Sequence, residues 1–337
     1  MTPHVAGSTR RLVGDEPTDI AHAAEILRTG GLVALPTETV YGLGADATND
    51  TAVARVFAAK GRPADHPLIV HIASAEALPQ WARDIPETAW ALATQFWPGP
   101  LTLILKRARG VAEAASGGLD TIGLRVPGHA VAQALLHAFG GGIAAPSANR
   151  FGRISPTCAE HVLAELDGRI DAVIDGGVCS VGLESTILDL SGPFPRVLRP
   201  GTITADTLAA VIGTLGEAPS AESPRTPGSL EAHYAPATPL RLVPSHELEA
   251  EAAGLAATGV IIVLARREPQ SKVSYRWVQL PDDAVAYGHD LYARLREADA
   301  QEGTCILIES PPDGTEWMAV SDRLKRAAAG SGVAKTA

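Results

Sequence analysis

The sequence predicts a two-domain α/β protein. A larger domain would be built on a twisted, mixed sheet with a concave cleft, and a smaller C-terminal domain on a parallel sheet. Three observations predict this. Short apolar runs alternate with amphipathic stretches from Asp19 to Ile212. Between Gly213 and Pro239 the alternation dissolves into Gly, Pro, Ser and Glu. From Leu240 it returns as regular strand–helix order.

In the first domain, apolar runs of strand length lie at 31–35, 68–72, 101–105, 121–126, 142–145, 172–174, 185–190 and 196–198. Segments with helical spacing lie at 20–29, 51–59, 86–96, 130–139, 158–166 and 205–212. Asn49 or Asp50 would cap the second of these, its side-chain oxygen satisfying a free backbone donor. Several strand ends would then converge on one cleft.

After the break, strands are expected at 240–243, 260–264, 276–280 and 304–309, and helices at 246–257, 283–299 and 316–329. This βαβα order predicts right-handed crossovers and a Rossmann-like outline. No GxGxxG follows the first of these strands, so dinucleotide binding there has no support. The expected boundaries are a tail over 1–18, a first α/β domain over 19–212, a linker over 213–239 and the C-terminal domain over 240–337. There is no internal repeat.

The chain of 337 residues is 46% hydrophobic and 20% charged, as globular proteins are, which argues against extensive disorder. Its formal net charge of −10 and aromatic content of 4% oppose general attraction to RNA and stacking platforms for single strands. Direct tRNA binding is therefore not expected. Cys158, Cys179 and Cys305 lie far apart with no CxxC pair, so neither a disulfide framework nor a cysteine zinc site follows. With no signal-like apolar run at 1–19 and no run long enough to span a bilayer, a reducing cytoplasm is the expected location.

Chemistry-bearing residues cluster at strand ends. Thr37-Glu38-Thr39 follows an apolar strand and Pro36, and precedes Tyr41-Gly42-Leu43-Gly44. A turn would use one threonine hydroxyl. The two glycines favour a ligand role, because they let the backbone approach something closely. Lys60 and Arg62 lie at a helix end, where cations also interact well with the helix dipole. Pro63, His66 and His71 follow, so one face presents several donors suited to phosphate or carboxylate oxygens. No GxxxxGK[ST] cradle exists.

Thr121 and Arg125 share one face of a strand, and the guanidinium suits a carboxylate or carbonate as well as a structural ion pair. Pro146-Ser147-Ala148-Asn149 follows another strand without a GxSxG elbow, so Ser147 reads as a hydrogen-bonding group and not a nucleophile. Ser155, Ser185 and Arg199 add hydroxyls and a cation at further strand or turn positions. His233 and Tyr234 lie in the linker, where they are either incidental or placed to close over a ligand.

Taken in order, TETVYGLG, KGRP…PLIVHI, TIGLRVP, PSAN and LESTILD…VLRPG resemble the threonylcarbamoyl-AMP synthases, a YrdC-like family. The resemblance covers Asp19 to Gly201, and the remainder resembles the long form with an extra C-terminal domain. It implies a YrdC-like catalytic domain that joins L-threonine, bicarbonate and ATP, with Mg2+, into threonylcarbamoyl-AMP and pyrophosphate for tRNA modification. A downstream tRNA threonylcarbamoyl transferase complex would be the partner.

By the same resemblance Lys60, Arg62, Ser147 and Asn149 form a catalytic polar tetrad around the nucleotide. ATP would also meet His66, Thr121, Ser155, Arg199 and, from an HYAP lid, Tyr234. L-Threonine would meet Thr39, His71, Arg125, the backbone of Ala145, and Ser185. Two other classes stay open on the residues themselves: an RNA-binding module using cations on strand ends, and another carbamoyl- or acyl-transfer enzyme.

Overall fold

The structure is a computed structural model describing residues 8–216, 223–228, 230–270 and 275–332. Parts of the expected tail (1–7), of the linker (217–222 and Ser229) and of the C-terminus (333–337) lie outside the described residues. The chain divides into two compact units. The first comprises residues 1–151, 155–180 and 184–229, and the second 152–154, 181–183 and 230–337. The two units thus divide the expected linker between Ser229 and Leu230.

The first unit runs β1 (Arg10–Val13), α1 (Pro17–Arg28), β2 (Val33–Leu35), β3 (Gly42–Asp46), α2 (Asp50–Lys60) and β4 (Ile69–His71). It continues with α3 (Leu78–Trp81), α4 (Glu87–Phe96), β5 (Leu101–Lys106), β6 (Thr121–Arg125), α5 (Ala130–Phe139) and β7 (Ile143–Ala144). It closes with α6 (Ala159–Leu166), β8 (Ala172–Asp175), β9 (Thr186–Asp189), β10 (Arg196–Arg199) and α7 (Ala205–Ile212). The ten strands form one mixed sheet in the order β1-β8-β2-β3-β7-β4-β6-β5-β9-β10.

Helix ends follow their capping chemistry. The Asn49 side chain accepts from the Ala52 amide at 3.1 Å, so Asn49, not Asp50, starts α2. His129 caps α5 through Nδ1, and Thr204 caps α7 through Oγ1. The main core joins α2, α4, α6 and α7 to one side of the sheet through residues such as Val53, Leu92, Val162 and Leu208. A second core packs α1 and α5 on β1, β2, β7 and β8 through Leu27, Leu135, Val33 and Ile174.

Three elements escape the sequence reading. β1 carries two arginines and buries only Leu12, so it lacks a strand-like apolar run. α3 is a single turn with a proline near its start. Gly42 and Gly44 of β3 are read from the sequence as letting the backbone approach a ligand. β3 is a buried strand, antiparallel to β2 and β7. A Cβ at Gly44 would stand 2.9 Å from both Ile143 Cγ2 and Leu35 Cδ2, and one at Gly42 would stand 3.1 Å from Ala145 Cβ. What these glycines admit is the neighbouring strands. That corrects the sequence expectation.

The second unit runs β11 (Leu240–Val243), α8 (Leu248–Leu255), β12 (Ile261–Ala265), β13 (Arg276–Gln279), α9 (Ala284–Asp299), β14 (Cys305–Glu309) and α10 (Met318–Gly330). Its sheet is parallel throughout, in the order β11-β14-β12-β13, matching the expected smaller parallel α/β domain. β12 and β14 are buried at every position, as central parallel strands covered on both faces are.

Candidate active site

One face of the first sheet differs from the other. In β4, β5, β6 and β9, Val70, Leu103, Leu124 and Leu188 enter the main core. Strand alternation turns Ile69 and His71, Thr102 and Ile104, and Thr121, Gly123 and Arg125 to the opposite face. There Ile69, Ile104 and Ile187 make a small separate apolar floor. Polar side chains gather around that floor.

Arg125, at the end of β6, is 4% exposed. Its Nη1 donates to Thr39 Oγ1 at 2.8 Å, and its Nε to the Gly99 carbonyl at 3.2 Å. Nη2 lies 2.7 Å from the carboxylate of Glu38, which is also buried. The ion-pair alternative weighed for Arg125 is therefore present, alongside a hydroxyl expected to bind ligand. His71 is the register neighbour of Arg125 in the parallel β4–β6 pair. Burial first, then the Arg125 charge, pushes the His71 pKa down to about 3, so its ring is neutral at physiological pH. The Ile143 backbone partly offsets this, while neither ring nitrogen has a partner within hydrogen-bond geometry among the described residues.

Lys60 and Arg62 are brought together by how α2 ends. Gly61 takes φ 63°, its amide reaches the Ala58 carbonyl, and the Arg62 amide reaches back to the Phe57 carbonyl at 2.9 Å. This Schellman arrangement folds Arg62 back beside Lys60. The Lys60 ammonium is 2% exposed and donates to the main-chain carbonyls of Ser147 and Asn149. Burial, then the Arg62 charge, lowers its pKa to about 7. Arg62 is 8% exposed and Nη2 donates to the Pro67 carbonyl at 3.0 Å. Asn149 is buried, its Nδ2 donating to the Arg150 carbonyl at 2.8 Å. The Lys60 ammonium thus has the main chains of Ser147 and Asn149 beside it, and the Arg62 charge close enough to lower its pKa.

Ser185 precedes β9. Its hydroxyl is 2.8 Å from Thr102 Oγ1 and 3.1 Å from Arg199 Nη2. Ser155 is buried and donates to Glu184 Oε1 at 2.5 Å. The Ala145 amide is committed to the Ile69 carbonyl at 2.9 Å, tying β7 to β4. Thr121 is half-buried at the start of β6, the opposite end from Arg125. His66 packs edge-on to Phe151 with centroids 5.7 Å apart, and burial lowers its pKa.

Tyr234 belongs to the second unit. It is 1% exposed at φ 60°, stacked on Tyr292 at 5.8 Å, with the Arg323 guanidinium 5.3 Å from its ring. Thr102 and Glu184 have no site role in the sequence reading, and Glu38 appears there only within Thr37-Glu38-Thr39. Thr102 interrupts an apolar strand run and Glu38 stands between two threonines, which were the available signals.

Among the described residues, no three His, Cys, Asp or Glu side chains come together as a metal site, and no helix is long and apolar enough to cross a membrane. All three cysteines are free thiols.

The chain thus joins a mixed α/β sheet, with buried Arg125 and Arg199 at strand ends, to a second α/β unit on a parallel sheet. The family model Sua5_yciO_yrdC, described as "Telomere recombination", matches residues 25–201. A second, "Threonylcarbamoyl-AMP synthase, C-terminal domain", matches residues 203–329. The Threonylcarbamoyl-AMP synthase of Bacillus subtilis is 42% identical over 96% of each chain. That of Schizosaccharomyces pombe is 34% identical over 92% of this chain and 88% of its own. The crystal structure of Pyrococcus abyssi Sua5 complexed with L-threonine superposes with a TM-score of 0.87 at 38% identity, over 98% of this chain and 99% of that one. The chain belongs to the threonylcarbamoyl-AMP synthase family, in its two-domain form.

Proposed function

We propose that this protein makes threonylcarbamoyl-AMP from L-threonine, bicarbonate and ATP, releasing pyrophosphate, as the first step of threonylcarbamoyladenosine formation in tRNA. The observation that carries the reading is the set of four cations, Lys60, Arg62, Arg125 and Arg199, all under 10% exposed. Burying a cation costs several kcal/mol even after relaxation, on the order of what its partners return. Such groups are retained where anionic ligands supply the missing charge.

Arg125 would orient the threonine carboxylate, with Thr39, His71, Ser185 and the Ala145 backbone around the rest of the amino acid. The threonine amine takes up bicarbonate as a carbamate, and a carbamate oxygen attacks the α-phosphate in line. Lys60, Arg62 and Arg199 offset charge on the departing pyrophosphate, while Ser147, Asn149, Ser155, Thr121 and His66 hold the nucleotide. Mg2+ carried by ATP would supply charge neutralisation on its phosphates. Closure involving Tyr234 would keep water from the mixed anhydride.

The net charge of −10 favours passing the product to a tRNA threonylcarbamoyl transferase over holding tRNA directly, in the cytoplasm where all these reactants meet. Incubating the protein with ATP, Mg2+ and bicarbonate and measuring pyrophosphate tests the reading. Release should require L-threonine. Equal release with serine, with carbamoyl phosphate or with no amino acid would overturn it.

A further inference from the structure

Buried polar atoms normally have hydrogen-bond partners, so a group of them without any asks for a ligand. Among the described residues, both carboxylate oxygens of Glu38, Nη2 of Arg125 and both ring nitrogens of His71 lack one. These three side chains are 3–6% exposed. They are also mutual neighbours: Glu38 Oε1 is 2.7 Å from Arg125 Nη2, and His71 pairs in register with Arg125. The Glu38–Arg125 pair is close but not aligned as a hydrogen bond, so each retains capacity for another group.

We infer that Glu38 receives the α-ammonium of the amino acid whose carboxylate Arg125 binds. The inference rests on the threonine reading above. A buried guanidinium alone suits any carboxylate. A guanidinium with an unaligned carboxylate beside it suits a zwitterion, because each charge of the ligand finds its opposite.

The alternatives for the ammonium are poorer. Thr39 Oγ1 is already engaged by Arg125 and by Thr37. His71 is neutral and brings no charge. His129, whose pKa burial lowers against the opposing Glu38 charge, spends Nδ1 on the cap of α5. Glu38 is the one carboxylate ion-paired with Arg125 among the described residues.

The same carboxylate gives the proton somewhere to go. The ammonium passes one proton to Glu38, leaving a neutral amine and a carboxylic acid. The amine nitrogen then bonds to the bicarbonate carbon, giving carbamate and one water.

The test is calorimetric binding, without ATP, of L-threonine and of its analogue with hydroxyl in place of the α-ammonium, (2S,3R)-2,3-dihydroxybutanoate. The unmodified protein should prefer threonine. Glu38→Gln should weaken threonine by about ten- to a hundredfold, the scale of a lost charge-assisted bond, and leave the analogue unchanged or tighter. Glu38→Asp should restore part of the preference. Equal weakening of both ligands would make Glu38 a mere support for Arg125 and overturn the assignment while leaving the threonine reading intact. No threonine binding by the unmodified protein would overturn both.

Discussion

Arg199 grips the main-chain carbonyl of Ser185 with two nitrogens, Nε at 3.1 Å and Nη2 at 2.9 Å, and reaches the Ser185 hydroxyl at 3.1 Å. Nη1 donates to the Pro227 carbonyl at 3.0 Å. One guanidinium thereby fixes the entry to β9, the end of β10 and the segment near residue 227. A point-charge ammonium has no such planar fork. Arg199→Lys should therefore lower pyrophosphate release by about ten- to a hundredfold, from loss of one or two charge-assisted bonds. Steady-state kinetics with L-threonine and ATP varied separately checks this, and wild-type kinetics would remove Arg199 from the site.

Gly201 carries the same argument into the backbone. A Cβ there would stand 2.4 Å from the Thr186 amide nitrogen, 2.6 Å from Thr186 Oγ1 and 2.8 Å from the Ser185 carbonyl carbon. Backbone atoms cannot swing aside as a flexible side chain does. Gly201→Ala should destabilise the protein by about 1–3 kcal/mol, as overpacked sites do, and should also disturb Ser185. Thermal unfolding and the threonine KM should change together.

The role proposed for Lys60 at the nucleotide carries a pH dependence. The Lys60 pKa falls to about 7 from the usual 10.5, with burial the main cause and the Arg62 charge the second. Phosphates restore the charge, so ATP binding should take up a proton and weaken as pH rises above about 7, approaching tenfold per pH unit. Calorimetry in buffers of different ionisation enthalpy reads that proton directly, and Lys60→Arg should abolish the uptake.

The effect of Lys60 on stability has the opposite sign to that of a paired lysine. Between pH 7 and 10.5 the unfolded chain binds the proton and the native protein does not. Unfolding free energy from this group therefore rises with pH across that window, and its cost is complete below pH 7.

Tyr234 is packed within the second unit against Tyr292 and the Arg323 guanidinium, and its φ of 60° is unfavourable for a non-glycine residue. Tyr234→Ala should cost about 3–5 kcal/mol as a buried aromatic truncation and lower the unfolding temperature. Tyr234→Phe keeps the ring. If Tyr234 also closes the nucleotide site, Tyr234→Ala should yield more hydrolysed product per pyrophosphate, measured by chromatography. Unchanged product integrity would leave it a structural residue.

Much of the fold was legible because strand and helix periodicity here is strong. α5 and α7 fall on the residues that apolar spacing indicates, and β11 on its apolar run. β3 was not legible. Gly-Leu-Gly-Ala-Asp has little intrinsic strand preference, and only the strands on either side make its glycines useful. β1 was hidden for a related reason, since parallel pairing to β8 and not burial defines it.

The sequence by itself determined which residue types stand at the strand ends, the division into a mixed and a parallel α/β part, and the motifs that mark the family. Hydroxyls, cations and glycines leave local signatures that depend only on chain neighbours. The tertiary structure decided which of them meet. Glu38 and Arg125 are far apart in the chain, as are Lys60 and the carbonyls of Ser147 and Asn149. Long-range strand pairing joins these groups, and burial then sets their charge states, because the cost of holding a charge depends on what the rest of the fold removes from water.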